Sequence, residues 1–291
     1  RSLMERAMDC GVRDHPLRQQ YRMPRALCQL VSQLFYGGSL RMGSLDIPNI
    51  GGLTLQSSSN ALRWRNVMHL EESVGTSKVN AGEVLEIVSL LTSDTTLARA
   101  REKVFVITLY KPQATLLRHV LQIALPQKML QGLVEVITVD AAQGSEAPHI
   151  ILSTVRNNTS RNIGFAANPR RLCVAISRAQ KTFTIVGNQS TLSNDTNWRK
   201  VAEGFRLDGT WQDVPESTVR HSDIASVVRR KIEDMAAQCN RAQGKSKSNG
   251  KGKNGFKGEG TFRGKGSFGD RRGKGGFKGK SHRFSLDHFM F

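Results

Sequence analysis

The sequence lacks several features that define common protein classes. It has four cysteines in 291 residues, far apart and without a Cys-x-x-Cys pair. This argues against a disulfide framework and a zinc knuckle and is typical of reduced thiols. No apolar run approaches the ~18 residues of a membrane-spanning helix, and no N-terminal segment has the pattern of a signal peptide. We therefore expect a cytoplasmic or nuclear protein that does not cross a membrane.

Acidic residues are also scarce. There are 24 Asp and Glu against 43 Lys and Arg, which predicts a polyanionic partner. Residues 241–291 alone hold 14 Lys and Arg against three acidic residues, with 13 of the 27 glycines and seven of the 12 phenylalanines. Isolated Phe residues between Gly-Lys and Gly-Arg steps cannot offset the backbone entropy by burial. We predict a disordered, basic, Gly-rich tail here that contacts single strands.

The remaining residues alternate between strand and helix patterns. Continuous β-rich runs, such as 104–109 and 134–139, alternate with helical stripes, such as 112–121. This alternation predicts an α/β fold with a parallel sheet and helices on both faces, over residues 1–205, followed by a helical extension over 206–240. Ligands of such sheets bind at the carboxyl ends of the strands, so we expect the chemistry in those loops.

Two loops carry arginines that suit phosphate. Arg22 has a planar guanidinium that fits phosphate oxygens, and Tyr21 beside it offers a flat face to a base. The alternative is a surface turn with Arg22 in a salt bridge. Arg171 and Arg178 are seven residues apart, which predicts one helical face suited to a triphosphate or a nucleic-acid backbone. The alternative is a solvated basic face.

Two further loops carry polar groups. Glu146 follows a Gln-Gly pair, so a carboxylate that can accept a ribose hydroxyl stands beside backbone that a ligand can approach. The alternative is a loop with a helix cap at Asp140. Small hydroxyls, an amide and a lysine at strand ends can hold a sugar-phosphate backbone without reading bases; they are Thr76, Ser77, Asn80, Thr108 and Lys111.

The order of these segments along the chain is more specific than any one of them. The sequence contains Gln20-Tyr21-Arg22-Met23, Gly75-Thr76-Ser77 with Asn80, Val139-Asp140-x-x-Gln143-Gly144-x-Glu146, Ile163-Gly164-Phe165, Asn168-Pro169-Arg170-Arg171-Leu172, Ser177-Arg178-Ala179 and Val186-Gly187-Asn188. In this order they resemble the C-terminal RecA-like domain, a P-loop NTPase fold, of superfamily 1 helicases. The resemblance is to the branch of the nonsense-mediated-decay RNA helicase, senataxin and the NFX-type zinc-finger helicases.

The resemblance implies two sets of contact residues. Arg22 and Arg178 would reach the ATP γ-phosphate, with Arg178 as the arginine finger, and Glu146 would bond the ribose. The full nucleotide set is Gln20, Tyr21, Arg22, Gln143, Gly144, Glu146 and Arg178. The nucleic-acid set is Thr76, Ser77, Asn80, Thr108, Lys111 and Thr138. The sequence departs from the family's usual residues at Pro24, Ala142, Cys173, Ser177 and Gln180.

The helicase family also needs a Walker A loop, whose backbone and lysine cradle phosphates. Gly-Lys-Ser occurs twice, both times within 241–291, with Cys239 and Lys274 in place of the earlier glycine. The resemblance therefore implies that ATP binds with Mg²⁺ whose ligands lie on an upstream RecA-like domain, and we expect the chain to be a fragment of that protein. The predicted function is the C-terminal half of an ATP-dependent RNA helicase acting on single strands. A non-catalytic RNA-binding protein with a relic domain and a DNA helicase are the alternatives.

Overall fold

A parallel six-stranded sheet forms the centre of the molecule. The computed structural model describes residues 3–13, 15–43, 61–99, 101–214 and 223–248. The strands of this sheet are β3 (Leu62–Val67), β6 (Val104–Thr108), β7 (Val134–Thr138), β8 (Ala147–Ser153), β9 (Ala179–Gly187) and β10 (Thr210–Val214). They lie in the order β10-β3-β9-β8-β6-β7, and every neighbouring pair is parallel.

Helices cover both faces of this sheet. The helices are α1 (Leu3–Asp9), α2 (Arg25–Phe35), α3 (Ala81–Ser93), α4 (Thr95–Ala98), α5 (Lys111–Ala124), α6 (Pro126–Leu130), α7 (Pro169–Ile176), α8 (Gln189–Leu192), α9 (Thr196–Asp208) and α10 (Asp223–Ser248), with a 3-10 helix at Gly164–Ala167. Strand β6 shows why both faces are buried: Phe105 and Ile107 join the core beneath α2, α7 and α9, whereas Val104 and Val106 join the core beneath α3, α5 and α10. The predicted α/β fold with a doubly covered parallel sheet is confirmed.

Two small sheets lie outside the main one. Strands β1 (Gln19–Gln20) and β2 (Arg41–Met42) pair in parallel, and β4 (Glu72–Val74) and β5 (Ser77–Val79) form an antiparallel hairpin. We call residues 72–79 the hairpin below. None of the helices within the described residues has the length and apolar character needed to cross a membrane.

The structure differs from the prediction in the segment 206–240. This segment contains strand β10, which pairs with β3 so that Trp211 lies opposite Trp64 and stacks on it at a ring-centroid distance of 5.0 Å. Helix α9 runs through residue 205, and α10 continues past residue 240. The β10 sequence is mostly polar, so its strand pairing depends on Trp64, a tertiary partner. Residues 249–291 of the predicted tail lie outside the described residues.

Candidate nucleotide and nucleic-acid sites

The predicted nucleotide residues gather at the amino end of the sheet. Glu146 directly precedes β8 and Arg178 directly precedes β9, and the first residues of these strands, Ala147 and Ala179, are paired. Arg22 comes from the loop after β1 and forms an ion pair with the Glu146 carboxylate. Residues up to 156 positions apart in sequence therefore meet here, at the end of the sheet opposite to the carboxyl end, where we expected the chemistry.

Ser177 connects the two arginines. Arg22 Nη1 donates to the Ser177 carbonyl at 3.2 Å, and Arg178 Nη2 donates to the Ser177 hydroxyl at 2.9 Å. Arg178 Nε also donates to the Val174 carbonyl at 2.9 Å, and its Nη1 donates to the Ser145 carbonyl at 3.3 Å. These bonds hold the Arg178 guanidinium in one orientation, which long surface arginines rarely have.

The electrostatics of this arginine pair favour an anion. Arg178 is only 8% exposed, and burial, followed by the positive charge of Arg22, lowers the pKa of its guanidinium. Two like charges are therefore held close together where one of them is poorly solvated. Added negative charge relieves both the repulsion and the desolvation, as phosphate does for guanidinium groups. The residues present thus fit the phosphates of a nucleotide.

Glu146 is accessible although it is already bonded. Its Oε1 accepts from Gln180 Nε2 at 2.9 Å, and its Oε2 faces Arg22. The side chains of Arg22 and Glu146 remain 35% and 44% exposed. An exposed pair of this kind contributes ~0–1 kcal/mol, so its partners can be exchanged for those of a ligand.

The ring of Tyr21 lies against the backbone of Gly43. A Cβ at position 43 would overlap the Tyr21 ring, so glycine allows the ring to lie at this place. Tyr21 is nevertheless 56% exposed. Gln20 shapes the same loop, because its Oε1 accepts from the backbone N–H groups of Arg22 at 2.9 Å and Met23 at 2.7 Å. The Gln20 side chain is thereby committed to positioning Arg22.

Gln143 and Gly144 lie in an exposed turn between β7 and β8. In the same turn Asp140, considered above as a helix cap, instead accepts from Arg171 Nε at 3.0 Å and Nη2 at 3.2 Å. The prediction that Arg171 and Arg178 share a helical face is wrong. Helix α7 ends at Ile176 and Ser177 is its C-cap, so Arg178 lies beyond the helix and Arg171 stays near the helix N-terminus.

The predicted nucleic-acid residues lie at the carboxyl end of the sheet or beside it. Thr108 and Thr138 are paired last residues of β6 and β7, and Lys111 begins α5. Thr138 is half-buried and Lys111 is exposed, whereas Thr108 is fully buried. Thr76 is exposed in the turn of the hairpin, and Ser77 beside it is half-buried. The five to seven residues of β6, β7 and β8 separate the two ends of the sheet by about 20 Å.

Asn80 is buried, which its place in the predicted nucleic-acid set did not indicate. It is 1% exposed, and its side-chain amide donates to the carbonyls of His69 at 2.9 Å and Val155 at 3.2 Å. Its Oδ1 accepts from the Glu83 backbone N–H at 3.1 Å, which caps α3. These bonds occupy the polar atoms of the side chain, so we assign Asn80 to positioning the hairpin and α3 rather than to direct contact.

Glu83, whose carboxyl group is buried near Asn80, was not among the predicted site residues. Glu83 accepts from the Ser153 hydroxyl at 2.6 Å and from the Val155 N–H at 2.8 Å. Burial, only partly opposed by these hydrogen bonds, raises its pKa to about 8. Val155 has φ +71°, which is strained for a β-branched residue. The sequence showed a capping pattern at 80 and 83, but it carried no signal that the Glu83 side chain turns inward to this strained loop.

Known proteins resemble the chain over most of its length. Residues 1–190 match the family described as "AAA domain". The putative regulator of nonsense transcripts 1 of Takifugu rubripes is 34% identical over 238 residues, which cover 79% of this chain and 22% of that protein. The regulator of nonsense transcripts 1 of Caenorhabditis elegans is 30% identical over 250 residues, covering 82% and 23%.

A third relative is the ATP-dependent helicase NAM7 of Saccharomyces cerevisiae, which is 34% identical over 256 residues, covering 82% of this chain and 26% of that protein. The chain thus spans about a quarter of the length of these relatives. The family match, the order of the motifs and the parallel sheet agree with one another. The chain belongs to the AAA domain family, and it is a C-terminal domain of the superfamily 1 helicase type.

Proposed function

We propose that this domain supplies one wall of the ATP site and part of the strand-binding surface of an ATP-dependent RNA helicase. The single observation that carries the proposal is the cluster of Arg22, Glu146 and Arg178 at the starts of β8 and β9. A buried arginine that is repelled by a second arginine is stabilised by an incoming phosphate. Two of the relatives' names, nonsense-transcript regulator and ATP-dependent helicase, agree with this proposal.

In this proposal the ATP lies between this domain and a preceding RecA-like domain. Mg²⁺ would supply charge neutralisation on the phosphates, with its ligands on the preceding domain. Arg178 acts as the arginine finger: as water attacks the γ-phosphorus and the bond to the ADP oxygen breaks, its guanidinium stabilises the charge on the transferred phosphoryl oxygens. Arg22 binds the same phosphate from the other side. The hydrogen bonds to Ser177 hold the two guanidinium groups in fixed positions relative to each other.

The other nucleotide contacts follow from their positions. Glu146 accepts a ribose hydroxyl after Arg22 turns to the phosphate, and the exposed Tyr21 ring stacks on the base. Gln143 and Gly144 lie in the turn that runs from the end of β7 to Glu146. This turn starts at Thr138 in the strand-binding surface, so it connects the two ends of the sheet. It can therefore couple ATP hydrolysis to a change in the contacts with the nucleic acid.

The strand-binding surface is the carboxyl end of the sheet with the hairpin. Thr76, Ser77, Lys111 and Thr138 offer hydroxyls and one cation, which hold a sugar-phosphate backbone without reading bases. We expect the tail beyond residue 248 to add non-specific electrostatic contacts to single strands. Alternating affinity of the two domains for the strand would then move the protein along it.

The test uses the parent protein with its preceding domain, purified with and without the substitution Arg178→Ala. We expect ATP hydrolysis that single-stranded RNA stimulates in the unchanged protein and that the substitution abolishes. The isolated chain 1–291 should hydrolyse no ATP above buffer, since it presents one wall of the site. RNA-stimulated hydrolysis by the isolated chain would refute the proposal.

A non-catalytic RNA-binding protein is the second candidate, favoured by the net charge of +19. It predicts strand binding by the parent protein without any hydrolysis. A DNA helicase predicts the same hydrolysis with DNA as the better stimulator, so matched RNA and DNA strands in the same assay separate the three functions.

A further inference from the structure

Phe165 is an exposed aromatic side chain at the carboxyl end of the sheet. It is 59% exposed and lies in the 3-10 helix that leads into α7. We propose that Phe165 is a stacking platform for one base of the single strand. The inference rests on the proposed function, because it requires that a strand crosses this end of the sheet, and it adds a contact to a base where the predicted residues contact only the backbone.

The position of the Phe165 ring is fixed by a buried neighbour. Its centroid lies 5.6 Å from that of Tyr110, at an interplanar angle of 55°. Tyr110 is 4% exposed and stands between the end of β6 and Lys111, the first residue of α5. Phe165 therefore lies close to the segment from Thr108 to Lys111, whose ends belong to the predicted strand-binding set.

The turn that presents Phe165 is also specified. Gly164 has φ +51°, and a Cβ there would lie 3.0 Å from Tyr110 Oη and 3.1 Å from Arg156 Nη1. A side chain at this position would be strained and crowded, so glycine allows the turn to sit on these two groups. The preceding segment is held as well, because Arg156 Nε donates to the Asn162 carbonyl at 3.0 Å.

Arg156 links this turn to the hairpin. The arginine is 8% exposed, and its guanidinium forms an ion pair with Glu71 at 3.1 Å, immediately before β4. Glu71 in turn accepts from the Asn157 N–H at 3.1 Å and the Asn158 amide at 3.0 Å. The Phe165 platform and the hairpin with Thr76 are thus parts of one bonded unit, and a strand that binds both needs little reordering of the protein.

The charge around Phe165 matches a nucleic acid. The Arg171 guanidinium lies 5.3 Å from the ring centroid and is oriented by its two hydrogen bonds to Asp140. Exposed Lys111 follows Tyr110 in the chain. An exposed aromatic ring beside cations is the arrangement with which proteins hold unpaired bases irrespective of sequence. A protein partner would also contact an exposed Phe, and comparing strands with and without bases distinguishes base stacking from a protein contact.

The test measures binding of the full chain to a short oligo-uridine and to an abasic strand of the same length. Salt is held at about 200 mM, where non-specific phosphate contacts are weakened. We expect Phe165→Ala to weaken oligo-uridine binding at least about fivefold, the lower end of the stacking range, and to leave abasic binding within twofold. Phe165→Trp should restore oligo-uridine binding, and its fluorescence should be quenched by oligo-uridine but not by the abasic strand.

The matched control is Leu130→Ala, which removes another exposed apolar side chain, 88% exposed, from α6 and should change neither affinity. Circular dichroism melting of each variant checks that the fold is intact. Equal losses on both strands, or no loss on either, would overturn the stacking role. If the unchanged chain bound neither strand, the proposed function itself would fail, which is a different result.

Discussion

Arg178 combines two properties that conflict unless a ligand is present. Its guanidinium is nearly buried, and its nearest charged neighbours include another arginine. Its hydrogen bonds go to two carbonyls and one hydroxyl, which satisfy its N–H groups without neutralising its charge. Glu146 brings one carboxylate charge against the two guanidinium charges of this cluster. This excess of positive charge at Arg178 is the reason to expect a phosphate beside it.

Arg178→Ala in the parent protein should lower kcat for RNA-stimulated ATP hydrolysis by on the order of 10³ while KM changes much less, because the guanidinium acts most strongly as charge develops. Arg178→Lys should not rescue, since a single ammonium cannot reproduce the planar fork. Steady-state kinetics measures both constants. The control is Arg199→Ala on the exposed side of α9, and a near-normal kcat in the Arg178→Ala protein would contradict the finger assignment.

Glu83 should make the stability of the domain depend on pH. Its pKa in the folded state is about 8, above the ordinary glutamate value of 4.5, so the folded protein holds this proton more tightly than the unfolded chain. Its contribution is complete below about pH 4.5 and is lost as pH rises through 8. Thermal melting should therefore show Tm falling between pH 6 and 9 more steeply for the unchanged protein than for Glu83→Gln. Parallel curves for the two proteins would show that Glu83 does not titrate in this range.

At the scale of elements, helix α3 shows how a local motif and a tertiary contact share one residue. Asn80 caps α3, and the same side chain ties the residues after β3 and β8 together through His69 and Val155. An Asn followed three residues later by Glu is the sequence pattern of a capping box. The reciprocal bond of a capping box does not form, because the Asn80 N–H donates to Gln113 Oε1 at 3.0 Å and Glu83 bonds to Val155.

Asn80→Ala should destabilise the domain by about 2–4 kcal/mol, since it removes a cap worth ~1 kcal/mol and leaves buried carbonyls unpaired. Urea unfolding measures this loss. Well below the unfolding transition, affinity for a single strand should be unchanged, because Asn80 has no exposed atom to offer. Asn197→Ala, within the first turn of α9, is the control and should cost far less. A selective loss of strand affinity would return Asn80 to the contact residues.

At the scale of the whole molecule, α10 carries the chain from the body of the domain toward the hairpin. Its apolar residues Val228, Ile232 and Met235 pack in the core under α3 and α5. Farther along, Cys239 lies against Gly75 in the hairpin turn, 3.3 Å from the position of a Cβ there. The helix therefore passes the hairpin of the predicted strand-binding surface, and residues 249–291, with 11 Lys and Arg against three acidic residues, follow its last residue, Ser248, in the sequence.

Deleting residues 249–291 should weaken binding to single strands of any sequence, because phosphate contacts carry no base code. The slope of log affinity against log salt should flatten by ~0.7 for each phosphate that the shortened chain no longer neutralises. Anisotropy titrations from about 50 to 200 mM salt on oligo-uridine and a mixed sequence measure both effects. A control truncation that keeps residues 249–270 should have an affinity and a salt slope between those of the full chain and the shortened chain. Identical slopes with and without the segment would exclude it from strand binding.

The fold class and the family follow from patterns in the amino-acid sequence. Continuous β-rich runs that alternate with helical stripes favour a parallel sheet, because each strand is buried on both faces. The ordered motifs from Gln20 to Asn188 identify the helicase type. Local patterns such as the Asn and Glu of the α3 cap and the helical stripe at 112–121, which lies within α5, also required no tertiary information.

Which of these residues come together depends on tertiary contacts. Pairing of β8 with β9 brings Glu146 and Arg178 to one end of the sheet, and Arg22 joins them through its ion pair with Glu146. No local pattern encodes these contacts between distant segments. The same holds for β10, which pairs through Trp64 and Trp211, for Asn80, whose burial removed it from the contact surface, and for Phe165, which Tyr110 positions. Propensity acts over a few residues, whereas burial and charge clustering depend on neighbours that only the folded chain supplies.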